Sequence, residues 1–189
     1  VFYRDIHDNK PPFIYLLAAL SGNITNFKII LFFWSLSSVI LAWFLAKKLF
    51  NSKIIITLVT LIFSVFISIP FIEGNIANGE NFMILPVIAA VLLLFTSKPK
   101  YFLIGLLFSL GFLFKVPVLF EYLGILFWLI FAQSKSFTQA LKKVFSKNAF
   151  SYYFGFVVPV LLSLIYYFFV GAGWEYIKAA FFQNLNYLS

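Results

Sequence analysis

Residues 101–132 read "YFLIGLLFSLGFLFKVPVLFEYLGILFWLIFA", and the fold turns on whether they form one helix or two. At 1.5 Å per residue a single helix would be about 48 Å long. That overshoots a bilayer core of about 30 Å. Lys115 and Pro117 interrupt the run near its middle. A proline removes a helical N–H and pushes the residue before it toward extended geometry. The stretch is therefore read as two short helices joined by a tight turn near Lys115.

The composition requires a non-aqueous solvent for much of the surface. The chain is 63% hydrophobic and 11% charged, with a mean hydropathy of +1.01, whereas soluble domains are about 45–50% apolar and about 25% charged. Apolar runs at 26–46, 54–72, 82–96 (with Pro86 as a kink) and 150–170 join the two arms of 101–132 as candidate spans. Residues 11–21 are too short to cross and read as an interfacial helix, as do residues 173–189 with their Trp and Tyr. The expected fold is an all-α integral membrane protein, a polytopic helical bundle of about six spans plus interfacial helices. The domain plan is 1–25 as outer loop and interfacial helix, 26–170 as transmembrane helices and 171–189 as an outer interfacial segment.

Charge fixes the expected orientation. The chain carries a formal +8, but its lysines sit in short loops between apolar runs, which points away from nucleic acid and toward membrane topology. With the loop at 47–53 cytoplasmic, the two-helix reading places nine of the 14 basic residues on that side. All six acids, Asp5, Asp8, Glu73, Glu80, Glu121 and Glu175, fall on the other. A chemical site on the outer face and a chance distribution both account for this. The absence of cysteine excludes a disulfide framework and thiolate metal sites.

The opening stretch "YRDIHDNKPP" (residues 3–12) concentrates charge ahead of a proline pair. Lys10 and Pro11 each precede a proline and are held extended, so a helix starts at about Pro12. A lysine ahead of a helix start suits an anion, and at headgroup depth a lipid-linked phosphate. The alternative is a capped helix start with a snorkelling lysine. Asp5 and Asp8 have the chemistry of a general base, a divalent-metal site or ion-pair partners for Arg4 and Lys10. His7, the single histidine, is either a pH-sensitive ligand or an ordinary loop residue. Glu80 opens a span after "EGNIAN" (73–78), either to favour the helix dipole or to reach the cavity of Lys10. Lys115 is expected either to pair with Glu121 or to contact phosphate or sugar.

Taken in order, "YRDIHDNKPPFIYLL", "NIANGENFMILP", "GLLFSLGFLFKVPVLF" and "FFQNLNYLS" resemble the bacterial members of the dolichyl-phosphate-mannose-protein mannosyltransferase superfamily, including the lipid A aminoarabinose transferase relatives. The resemblance covers nearly the whole chain. It implies a GT-C fold, an inverting glycosyltransferase in the cell membrane, and transfer on the extracytoplasmic face. The donor is a polyprenyl-phosphate sugar and the acceptor a lipid, glycan or protein. Lys10, Arg4 and Lys115 are the implied donor-phosphate residues. Asp5, Asp8, Glu80, Asn78 and Tyr15 are the implied lining of the sugar and acceptor cavity. No cofactor is firmly implied beyond a divalent metal as an option, and no metal ligand is assigned. The family's catalytic acidic pair lies upstream of its KPP segment, which here places it upstream of Val1. No residue of this sequence is therefore assigned as the catalytic acid. With Val1 as its first residue and that pair missing, the chain is expected to be an internal piece of a longer enzyme, incomplete at both ends. A non-enzymatic transporter or lipid-glycan flippase is the competing class. Its ionisable groups are expected near the midplane, on broken helices.

Overall fold

In the computed structural model, which describes residues 1–6, 8–132 and 134–183, the chain is helical, and no strand occurs among those residues beyond one isolated bridge between Phe2 and Ile6. The helices are α1 (Phe13–Ser21), α2 (Ile24–Leu49), α3 (Lys53–Phe66), α4 (Gly79–Leu94), α5 (Tyr101–Phe114), α6 (Val118–Phe127), α7 (Phe137–Val144), α8 (Lys147–Phe169) and α9 (Gly173–Ile177). A 3₁₀ turn covers Pro70–Ile72, and π-helical turns follow α6 (Trp128–Ala132) and α9 (Lys178–Phe182).

The 101–132 run is broken where its sequence places the break. Lys115 is extended at φ −153° and ψ 123°, and Pro117 caps the next helix. The break is economical: Lys115 N–H still donates to the Gly111 carbonyl, and Val118 N–H donates to that of Lys115. α6 then runs back along α5, so that Tyr122 lies against Phe108 and Val118 against Gly111.

α2 to α6 and α8 run between two ends of the bundle, each reversing the one before it. α5 and α8 pack most intimately. A Cβ at Gly105 would collide with the Tyr152 carbonyl oxygen, and one at Gly155 with that of Phe102. Two glycines thus let the backbones meet, as small residues do between membrane helices. Around this crossing Ile104, Phe108, Val118 and Tyr152 are fully buried. Tyr122 stacks on Tyr152 at 4.6 Å, and the Tyr152 hydroxyl donates to the Tyr122 carbonyl at 2.9 Å.

Among the described residues, α2 and α8 are the two helices long and apolar enough to cross a membrane, and in each only 17% of the most apolar stretch is buried. A soluble core helix hides its apolar residues, so this exposure points to a lipid environment. Phe32, Phe33, Leu161, Leu162 and Phe169 are among the large side chains left uncovered. The remaining apolar helices are shorter, at 10–17 residues. The expected span over 54–72 is helical only to Phe66, because Pro70 begins a separate 3₁₀ turn. The lysine-bearing stretch between the apolar runs at 101–132 and 150–170 contains α7. Its N-cap Ser136 accepts from Gln139 N–H at 3.2 Å, while the Gln139 side chain accepts from Lys135 N–H at 2.7 Å.

Pro86 lies inside α4 without breaking it. Having no N–H, it leaves the carbonyl of Phe82, four residues back, without its helical donor. Trp34 of α2 supplies one: its indole N–H donates to Phe82 O at 2.9 Å. Phe82 is fully buried, so the unpaired carbonyl would otherwise be costly. Trp34→Phe is expected to destabilise the chain by about 1–3 kcal/mol. In a Pro86→Ala background, which restores a helical donor, the same change should cost at least about 1 kcal/mol less. Unfolding of the four proteins in a double-mutant cycle measures this, and equal costs in both backgrounds would exclude the substitute-donor role.

Candidate functional site

The acids and the nine clustered lysines occupy opposite ends of the bundle. Lys47, Lys48, Lys53, Lys98, Lys100, Lys135, Lys142, Lys143 and Lys147 lie at one end, where α2, α4 and α6 finish. All six acids lie at the other, where α1, α4 and α6 begin and α8 finishes. The second end holds the candidate site.

It is assembled around a close backbone approach. Asn78 caps α4, accepting from Asn81 N–H at 3.0 Å, and its amide donates to Glu73 at 3.1 Å. Asn81 closes the same loop by donating to the carbonyls of Glu73 (2.8 Å) and Ile76 (2.7 Å). Gly79 follows as the first helical residue, and a Cβ there would lie 2.5 Å from the Phe114 carbonyl oxygen. Only glycine lets the start of α4 touch the end of α5. That contact carries Glu80 to Lys115, and the two form an ion pair with the ammonium donating to Glu80 Oε1.

Of the two readings of Lys115, the pairing with Glu121 is corrected: its partner is Glu80. Glu121 is exposed on α6, whereas the extended backbone at Lys115 directs the lysine to α4. The charge of Lys10 also acts on the Glu80 carboxylate. The other oxygen, Oε2, is buried and has no hydrogen-bond partner.

Lys10 lies close enough to Glu80 for its charge to act there. Pro11 and Pro12 are buried behind it, and the Tyr3 hydroxyl donates to its carbonyl at 2.5 Å. Tyr3 is the residue that sequence reasoning missed. It is 2% exposed, has a left-handed φ of 70°, and sits among the rings of Phe2, Tyr15, Tyr167 and Tyr176. Burial pushes its phenol far above the ordinary value. The available signal was an aromatic residue placed inside a charged run. Tyr15 lies beside it on α1, and its hydroxyl is buried without a hydrogen-bond partner. Burial, reinforced by the Asp8 carboxylate, raises its pKa as well.

Arg4 and Asp5 form a separate ion pair. Arg4 donates to Asp5 through Nε at 2.9 Å and Nη2 at 3.2 Å, both groups being about half exposed. This bond is the first cause holding the Asp5 carboxyl low. Asp5, implied as lining of the sugar and acceptor cavity, is engaged by its neighbour Arg4.

Arg4 also feels Glu175 and approaches Gly171, so it is engaged toward α9. Asp8 accepts from Asn9 N–H at 2.6 Å. His7 and the last residues of the expected C-terminal interfacial segment, 184–189, lie outside the described residues. Among the described residues no three of His, Cys, Asp and Glu converge to hold a metal ion.

The site therefore gathers Lys10, Glu80 and Lys115, with Tyr15 and Asp8 alongside. It offers two cations, one shared carboxylate and two unpaired buried oxygens. Such orphans in native structures mark strain or a place where a missing partner binds. Comparisons of the chain with family models, curated proteins and solved structures find no match.

Removing the cation leaves a half-buried carboxylate without its partner. Lys115→Ala is therefore expected to destabilise the protein more in the wild-type background than in Glu80→Gln. Unfolding of the four proteins in a double-mutant cycle measures this, and equal costs in both backgrounds would rule out the pair.

Proposed function

We propose that this chain is part of a membrane glycosyltransferase that moves a sugar from a polyprenyl-phosphate donor to a lipid, glycan or protein acceptor on the extracytoplasmic face. In this reading α2 to α6 and α8 cross the membrane, with the nine-lysine end cytoplasmic and the acidic end outside. The observation that carries it is the convergence of Lys10 and Lys115 on Glu80 beside two unpaired buried oxygens. The resemblance in motif order supplies the reaction.

The chemistry is displacement at the anomeric carbon. An acceptor oxygen or other nucleophile bonds to that carbon, the bond to the phosphate oxygen breaks, and the polyprenyl phosphate leaves with the electron pair. The acceptor proton passes to a base, which the resemblance places in an acidic pair upstream of Val1. Lys10 stabilises the charge developing on the leaving phosphate, an electrostatic role of the usual kind. Glu80 holds Lys115 in position, and its free oxygen is available to a sugar hydroxyl. The exposed apolar helix faces provide the environment for the prenyl chain.

The test uses the full-length protein and a prenyl phosphate compared with the corresponding prenol. The phosphate is expected to raise the melting temperature and the alcohol is not. Lys10→Ala should abolish the difference and lower turnover by about 10²–10³-fold, with expression unchanged. Equal stabilisation by phosphate and alcohol, or near-normal turnover in Lys10→Ala, would overturn the phosphate role.

A further inference from the structure

The lysine-rich end has its own architecture. Along α7 and its C-cap, Phe137, Leu141 and Phe145 recur at intervals of four, which places them on one face, and they are 70%, 46% and 71% exposed. To one side of that face, buried Ala140 seats the helix against the bundle. Phe150 and Phe154 at the start of α8 are uncovered too. Lys98, Lys100, Lys135, Lys142 and Lys147 are exposed at the same end, and no acid lies there. Beside α7 a cavity of about 200 Å³ opens between the starts of α5 and α8 and the π turn after α6. Its lining is mixed, with Leu129 and Ile130 apolar, and Lys143, Ser146, Asn148 and Tyr101 polar.

We propose that this end is a docking surface for anionic phospholipid. α7 lies in the interface with its phenylalanines among acyl chains, and the lysines gather negatively charged headgroups, one of them entering the cavity. Three observations favour lipid over a protein partner. The apolar stripe is followed by the uncovered phenylalanines of α8, which is itself apolar enough to cross a membrane. The charge is of one sign, so a second copy of this end would be repelled. The arrangement of an apolar face beside lysines is that of an interfacial helix, whose binding combines apolar burial with attraction to anionic lipid.

The inference rests on the membrane placement but is independent of the transfer reaction. The experiment titrates the detergent-solubilised full chain with short-chain phosphatidylglycerol, short-chain phosphatidylcholine or inorganic phosphate, reading thermal stability and bound lipid by native mass spectrometry. Phosphatidylglycerol is expected to bind about tenfold more tightly than phosphatidylcholine, as several lysines near a charged surface imply. Inorganic phosphate should have no comparable effect, and the preference should shrink as salt is raised. Replacing Lys135, Lys142 and Lys147 together by Gln should remove it, while replacement by Arg should keep it. Equal binding of the two lipids, or a preference surviving both salt and the Gln variant, overturns the inference. Stabilisation by neither lipid would overturn it along with the membrane reading, whereas a failed prenyl-phosphate test would leave it standing. If the Gln variant does not fold, the salt titration of the unaltered chain decides.

Discussion

A helix does not continue comfortably into the residue before a proline, and Val116 precedes Pro117. The chain answers by placing Lys115 in extended geometry between α5 and α6. The site follows from that one conformation. A lysine within a continuous helix would point along the surface of its own helix. Lys115 instead leaves the helix axis where the start of α4 comes against the Phe114 carbonyl. Gly79 permits that approach, and Glu80 is the next residue. The break, the glycine and the acid form one mechanical unit, and each would lose its purpose without the others.

The same economy governs the interior. One backbone irregularity occurs where helices meet and is compensated by a neighbour: the indole of Trp34 replaces the donor that Pro86 lacks. Glycines at 105 and 155 let α5 and α8 come into backbone contact. Close approach of this kind is expected where the surrounding solvent is as apolar as the core. The cation–π contact of Lys47 with Trp43, at 4.4 Å, shows an amphipathic arrangement at the end of α2, where a long stem reaches past an aromatic ring.

Much of this was legible in the residues because it is local. Hydrophobic run lengths gave the helices, Pro117 gave the break, and lysine placement gave the polarity of the two ends. What stayed hidden was non-local. The spacing of Lys115 and Glu121 offered a nearby pair, yet the partner is Glu80, thirty-five residues earlier, brought in by a backbone approach that no spacing encodes. Tyr3 looked like part of a polar loop, and its burial depends on rings contributed by α8 and α9. Asn78 spends its side chain on capping α4 and on Glu73, and Asp5 is held by Arg4. α7 was masked by its own lysines, although Ser136 followed by Gln139 is a helix-start pattern and the phenylalanines at 137 and 145 lie two helical turns apart.

The bond from Trp34 to Phe82 ties α2 to the segment of α4 that leads into Glu80. A proline normally makes the upstream part of a helix a loose lever. Here that lever is pinned to the longest helix in the chain, so the first turns of α4 and the matching part of α2 travel as a single rigid piece. Any opening of this end must then pivot elsewhere, either at the extended Lys115 or along the polar stretch from Lys10 to the first turn of α1. Motion at the first would draw the Lys115 ammonium away from Glu80, so flexing of the bundle here is coupled to separation of charge.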